Sequence, residues 1–204
     1  MPQISEEKKE ARRQQLLDAA RERLAEHGYR DLSVDEICGA AKLSKGSFYG
    51  YFESKQAMLL ALLDEEMNRL EEGLAEISSR PAPEGETHLR RFARSVLREA
   101  SDPGRVQLRA DLWALATTEA TVRKRLIEAV ARRRKLLRDT LDSMLERDDL
   151  ELPRELANAV ASILLALGDG LVLHSALDPT AFRWTNVRRA LDLLLTSAGT
   201  NADA

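Results

Sequence analysis

A chain of 204 residues can bury one mid-sized core or two small ones. With 32% charged residues, only 4% aromatics and a net charge of −3, it reads as a helical protein whose overall charge does not announce a nucleic-acid partner. Its single cysteine, Cys38, excludes an internal disulfide and any multi-cysteine metal site. Residues 1–10 are polar, and from about Glu10 the apolar positions Leu16, Leu17, Ala20 and Leu24 recur at helical spacing until Gly28 supplies a stop. No signal-peptide pattern opens the chain and no uninterrupted run of about 18 apolar residues follows, so the expectation is a soluble, cytoplasmic protein with no membrane partner.

Three helix starts then come in quick succession. Ser33 with Glu36 forms a capping box, in which the hydroxyl accepts from the Glu36 amide and the carboxylate reaches back to the Ser33 amide. Leu32 and Ile37 stand at the N′ and N4 positions of a hydrophobic staple. Eleven residues on, Ser44 caps the next helix, with Leu43 and Phe48 in the same relation. Ser54 starts a third, longer helix and places Lys55 in its first turn. Cys38, beside core-like Ile37, reads as a small packing residue. The connection between the first two of these helices is too short for anything but a tight turn, so residues 34–53 read as a helix-turn-helix whose second helix enters a DNA groove. Across residues 42–55, Lys42, Lys45 and Lys55 meet only Glu53, which supplies a basic footprint on an acidic chain.

The run Lys45-Gly46-Ser47-Phe48-Tyr49-Gly50-Tyr51-Phe52-Glu53-Ser54-Lys55 resembles the signature of the TetR family of one-component transcriptional regulators. The resemblance extends back through Ser33-Val34-Asp35-Glu36-Ile37 to Arg12-Arg13-Gln14 and forward to about Leu63, roughly the first third of the chain. It implies an all-α fold, with a three-helix DNA-binding domain over residues 1–54, a connecting fourth helix over 55–77, and a helical effector-binding and dimerisation domain over 55–204. By resemblance, Ser44, Lys45 and Ser47 face base edges and nearby phosphates. Tyr49 and Tyr51 look like phosphate contacts, as does Lys55 at a helix start. Ser33 resembles the cap that also touches backbone, while Phe48 and Phe52 look like core. The chain departs from the pattern at Lys42, where the turn usually has Gly and a left-handed conformation is expected at some cost. It departs again at Gly50, which replaces a larger residue between the tyrosines.

The fourth helix carries Met58, Leu59, Leu62, Leu63, Met67 and Leu70. Residues 78–86, with two prolines and a glycine, form the clearest break. Beyond it, Phe92, Val96 and Leu97 mark one helix, and Val106, Leu108, Leu112, Trp113 and Leu115 the next. A long helix from about Thr121 to Glu146 carries Arg132-Arg133-Arg134-Lys135, read as a solvated face with Leu126, Val130, Leu137 and Leu141 inward. A helix opens at Pro153 and runs to about Leu177, and a last one ends near Ser197. In the former, Ala157, Val160, Leu164, Leu167, Leu171 and His174 make one apolar side, and Ile163, Leu165 and Val172 the other. Such a helix needs cover on two sides, which suggests a subunit interface of Val160, Leu164, Leu167, Leu171, Leu191 and Leu194. The resemblance implies the same interface, a four-helix homodimer bundle in which Gly168 and Gly170 permit close approach.

The function expected is a ligand-responsive regulator, most simply a repressor, that binds palindromic double-stranded DNA as a homodimer and is released by a small-molecule effector. Met67, Phe92, Arg109, Trp113 and His174 are the candidate pocket residues. Trp113 and Phe92 also read as plain core, and His174 as an interface histidine. The alternative is an effector-independent DNA-bound factor acting through a protein partner. An enzyme is disfavoured: His27, His88 and His174 have no metal-ligand spacing, no nucleophile motif or glycine-rich phosphate loop is present, and no cofactor is implied. Glu146, Asp148, Asp149 and Glu151 read as a solvated connection. Lys55→Ala is expected to weaken binding to all DNA and to lower its salt dependence by about one unit.

Overall fold

In a computed structural model the chain is described over residues 5–82, 86–100 and 103–200, with no side chain described at 96–100, 103–104 or 194–200. The described residues form helices α1 (Glu6–Asp31), α2 (Val34–Ala41), α3 (Lys45–Tyr51), α4 (Lys55–Ser79), α5 (His88–Ala100), α6 (Pro103–Ala116), α7 (Ala120–Arg147), α8 (Arg154–Leu177) and α9 (Trp184–Thr200), with no strand among them. The chain divides into two units. One holds Met1–Glu66 with Pro103–Leu126, the other Met67–Asp102 with Ile127–Ala204. A boundary at residue 54 would have assigned α6 to the second unit; instead α6 and the start of α7 group with α1, α2, α3 and the first half of α4.

In the first unit α1 packs on both α2 and α6. Leu16, Leu17, Leu24, Ile37, Phe48, Met58, Leu59 and Leu62 are all fully buried there, joined from later in the chain by Leu108, Leu112 and Val122. Charged side chains stitch the rim: Arg21 bonds Glu65, and Arg105 Nε lies 3.0 Å from the buried Glu66 carboxylate. Trp113, expected among core residues, is 40% exposed on α6, because the inward positions of that helix are taken by Leu108 and Leu112.

α1 is not one continuous helix. Gly28, at φ 72° and ψ 166°, breaks it, so the expected stop is present and three residues of helix resume beyond it. A side chain there would be strained by the positive φ and would also crowd Gln107 Nε2 at 3.3 Å.

In the second unit α5 packs on α8 and α9. α7 turns Leu137, Leu141 and Met144 inward, and α8 buries Ala157, Ala161, Leu165 and Val172. The basic run on α7 is mostly outward, as expected: Arg132 pairs with Glu71 and Lys135 with Asp139. Arg133 is the exception, turning in to meet the buried Asp169 at 3.0 Å. A buried carboxylate needs a cation, and Arg133 is the member of the run on the correct side of α7 to supply it. The expected acidic connection after α7 is also partly structural. Asp148 accepts from the Nδ1 of His88 at 2.8 Å and from the amides of His88 and Leu89 at 3.0 Å, so it caps α5 from about sixty residues away. Among the described residues, Gly168 and Gly170 have no neighbour within 4 Å of where a Cβ would stand, so no close approach there explains them.

The two sides of α8 differ more than expected. Ile163, grouped with Leu165 and Val172 as one apolar side, is 64% exposed while those two are buried. Leu156, Leu167 and Leu177 are exposed with it, and Val160, Leu164 and Leu171 are half-buried. By length and composition this helix is long and apolar enough to cross a membrane, although Ser162 and Asp169 interrupt it and no uninterrupted run of about 18 apolar residues is present, as expected. It also carries Arg154, Glu155 and the ion-paired Asp169, and only part of it is buried within the chain.

Candidate nucleic-acid interface

The reader is built from caps. Ser33 Oγ accepts from the Glu36 amide at 3.2 Å while the Glu36 carboxylate accepts from the Ser33 amide at 2.7 Å, closing the box at the start of α2. The Ser33 hydroxyl and amide together hold the Glu36 carboxyl below its ordinary pKa. Eight residues later α2 ends in a Schellman turn: the Leu43 amide donates to Cys38 O at 2.9 Å and the Lys42 amide to Gly39 O at 3.2 Å. Lys42 takes the left-handed position of that turn, at φ 52° and ψ 38°, where a glycine would sit without strain. Ser44 then caps α3 by accepting from the Ser47 amide at 3.1 Å, and Ser54 caps α4 by accepting from the Ala57 amide at 3.0 Å.

These caps fix which side chains face out. Phe48 and Phe52 are buried against each other, ring centroids 5.6 Å apart, so they are core as expected. Cys38 is buried too, and burial raises its thiol pKa, in keeping with a packing residue. On the opposite face Ser44, Lys45 and Gly50 are exposed and Ser47 is half-buried. Tyr49 is 56% exposed and meets Phe48 edge-on, while Tyr51 is half-buried. A Cβ at Gly50 would have open space within 4 Å, so the departure from the family pattern leaves a gap on the outer face and not a packing requirement. Lys45 Nζ lies 2.8 Å from Asp35 of α2, and that hydrogen bond and charge raise its pKa.

Lys55 lies differently from its expected place at a phosphate. Its ammonium donates to Tyr29 O and Leu32 O, both at 2.7 Å, and stands 4.3 Å from the centre of the Tyr29 ring. Burial pulls its pKa below the ordinary lysine value despite the opposing carboxylates of Asp31 and Asp111. Tyr29 follows the break at Gly28 and Leu32 is the C-cap of α1, so the ammonium at the start of α4 meets carbonyls at a helix end. On the other side of the same residue, the Tyr29 amide donates to Asp111 of α6 at 2.9 Å, and Gln107 donates to that carboxylate at 3.2 Å. Sequence reasoning missed Asp111, since no local pattern marks a carboxylate that serves a backbone break 82 residues earlier.

The five candidate pocket residues are divided between the units. Arg109 and Trp113 belong to the first, Met67, Phe92 and His174 to the second. Met67 and Phe92 are buried and His174 is exposed. Of the expected interface residues, Leu167 is exposed and Leu191 half-buried, and Leu194 lies outside the described side chains.

Residues 83–198, more than half of the chain, match the family described as BetI-type transcriptional repressor, C-terminal, and residues 16–62 match bacterial regulatory proteins, tetR family. The chain belongs to the TetR family. Its members are DNA-binding transcriptional regulators and not enzymes. The regulator BetI of Cronobacter sakazakii is 30% identical over 182 residues, 87% of this chain and 85% of that one. EthR of Mycobacterium tuberculosis is 32% identical over 103 residues, 50% of this chain and 48% of that one. The chain thus spans about half the length of EthR, and 37% of a further mycobacterial repressor. Among solved structures, the regulator FadR of Bacillus subtilis in complex with stearoyl-CoA aligns with a TM-score of 0.69 at 21% identity, covering 89% of this chain and 96% of that one. At that identity the likeness is one of fold.

Proposed function

We propose that this TetR-family regulator is a homodimeric, ligand-responsive repressor that binds a palindromic operator in the cytoplasm. The observation that carries the reading is the geometry of α3. Its N-terminal edge is capped, with Ser44 and Lys45 exposed and Ser47 half-buried, while Phe48 anchors its other side in the core. A short helix held this way by its neighbours can enter a major groove without rearranging. Ser44, Lys45 and Ser47 then meet base edges and nearby phosphates. Tyr49, Tyr51 and Ser33 meet backbone. Lys55 takes the role of holding the end of α1 in place.

The apolar stripe of α8, with Leu156, Ile163 and Leu167 exposed and Val160 and Leu171 half-buried, supports the homodimer, as do the half-buried Leu191 and exposed Leu193 of α9. Single exposed leucines need no explanation, but a stripe continued over several turns does. A second copy would cover it and set two α3 helices about one DNA turn apart, ~34 Å. For release, the stearoyl-CoA complex of the Bacillus subtilis regulator supports a small molecule as the effector class. A 100-fold loss of operator affinity on release corresponds to about 2.7 kcal/mol of differential binding.

Selection of bound duplexes from a random pool, followed by footprinting, tests the reading. The expected outcome is a palindrome whose half-sites lie about one helical turn apart. Enrichment of no sequence at moderate salt would refute it. Mass spectrometry of small molecules carried through purification is the direct route to the effector.

A further inference from the structure

The reader surface holds fewer free cations than its composition suggests. Lys55 is committed to two carbonyls inside the protein, and Lys45 is paired with Asp35. Asp35 stands in the first turn of α2, outside the capping box closed by Ser33 and Glu36, and takes no part in it. The two side chains that meet are 56% and 69% exposed, and a pair so exposed adds little to stability. Its consequence lies in the field. A carboxylate 2.8 Å from the ammonium cancels much of the charge that the edge of α3 presents to a duplex.

We infer that Asp35 is a specificity-determining residue that suppresses binding to DNA of arbitrary sequence by competing with phosphate for Lys45. The inference rests on the assignment of α3 as the reading helix. In a helix-turn-helix the first helix crosses the phosphate backbone while the second lies in the groove. A phosphate that takes Lys45 from Asp35 therefore leaves an unpaired carboxylate on a surface facing other phosphates. Binding to random sequence always meets this penalty. A correct site escapes it when guanine O6 or N7 accepts from one N–H of the Lys45 ammonium while another N–H keeps its bond to Asp35, so that neither partner is left unpaired. Asp35 thus lowers affinity everywhere except at a site that offers that pattern, and the ratio of specific to non-specific binding rises.

Fluorescence anisotropy on the 204-residue chain tests this, with one random-sequence duplex and one duplex selected from a random pool, each titrated across a range of salt. Asp35→Asn should tighten binding to the random duplex by about tenfold and steepen the slope of log K against log salt by about 0.9, the value for one added phosphate contact. The ratio between the two duplexes should fall by a similar factor. In the double variant Asp35→Asn with Lys45→Ala the gain should vanish. Glu72→Gln, the same charge change at an exposed position of α4, controls for net charge, and Asp35→Ser serves if the asparagine variant melts early. Unchanged random-duplex affinity and slope in Asp35→Asn would overturn the inference, as would a gain that persists without Lys45 or is matched by Glu72→Gln. A wild-type protein that binds neither duplex would sink the assignment of α3 itself, a separate and recognisable outcome.

Discussion

Lys42 and Gly50 are single residues at which the chain departs from its family's pattern, and each has a physical consequence. Lys42 occupies a left-handed backbone position that costs a non-glycine residue about 1 kcal/mol. Lys42→Gly is expected to stabilise the fold by about 0.5–1 kcal/mol, the low end reflecting glycine's greater freedom in the unfolded chain, and thermal melting would show it. Gly50 sits in a helix with open space around its missing Cβ, so Gly50→Ala should also raise stability by about 0.5–1 kcal/mol. A melting point that falls instead would mean that the glycine serves the backbone at that point. Both sites were legible in the sequence. The turn is too short to close without one left-handed residue, and Lys42 stands where it must fall. Lys55 was not legible in the same way. A lysine at a helix start reads as a phosphate ligand, and only the direction of α1 beyond Gly28 reveals two carbonyls waiting for it.

That commitment changes what removing Lys55 does at the scale of the element. Lys55→Met leaves the carbonyls of Tyr29 and Leu32 without their donor and should cost about 1–3 kcal/mol of stability. The salt dependence of DNA binding should stay near that of the wild type; a slope lowered by about one would restore the lysine to the phosphates. At the start of α5, burial tends to raise the pKa of Asp148. The backbone bond from Leu89, with the side-chain and backbone bonds from His88, outweighs that and holds it below the usual carboxylate value. A lowered folded pKa means the unfolded chain binds the proton more readily. The stabilisation is therefore present above about pH 4 and is lost as pH falls through the lowered value. Asp148→Asn should melt earlier than the wild type at neutral pH, and the gap should close in acid. A gap that stays constant from neutral pH to pH 3 would show that the carboxylate charge contributes nothing. Helix starts with local caps, at Ser33, Ser44 and Ser54, could be read directly from the chain. The α5 cap could not, because its acceptor lies sixty residues away in what reads as a solvated acidic turn.

For the whole molecule the same contrast holds between what repeats locally and what is assembled at a distance. Nine helices among the described residues follow from apolar spacing and breakers, and their expected and observed bounds agree within a few residues. Which face of α8 would be left uncovered could not be told from a helix apolar on both sides, and Ile163 was placed on the wrong one. The exposed stripe predicts that Leu167→Glu combined with Leu193→Glu yields monomers in sedimentation, with helix content unchanged; a dimer that survives would place the interface elsewhere.

The Asp111–Tyr29 bond, together with Leu108 and Leu112, has a consequence for dissection. The proline-rich break after α4 looks like the place to cut, yet part of the reader's floor is encoded beyond it. A fragment ending at residue 82 would carry every helix of the reader and lack the α6 side chains that seal α1. It should show helix without a cooperative melt, and a chimera spliced there onto a foreign C-terminal half should fail unless the splice brings α6 along. The unit that could be exchanged intact between relatives is therefore discontinuous in sequence, and a shuffling event at the linker would sever it.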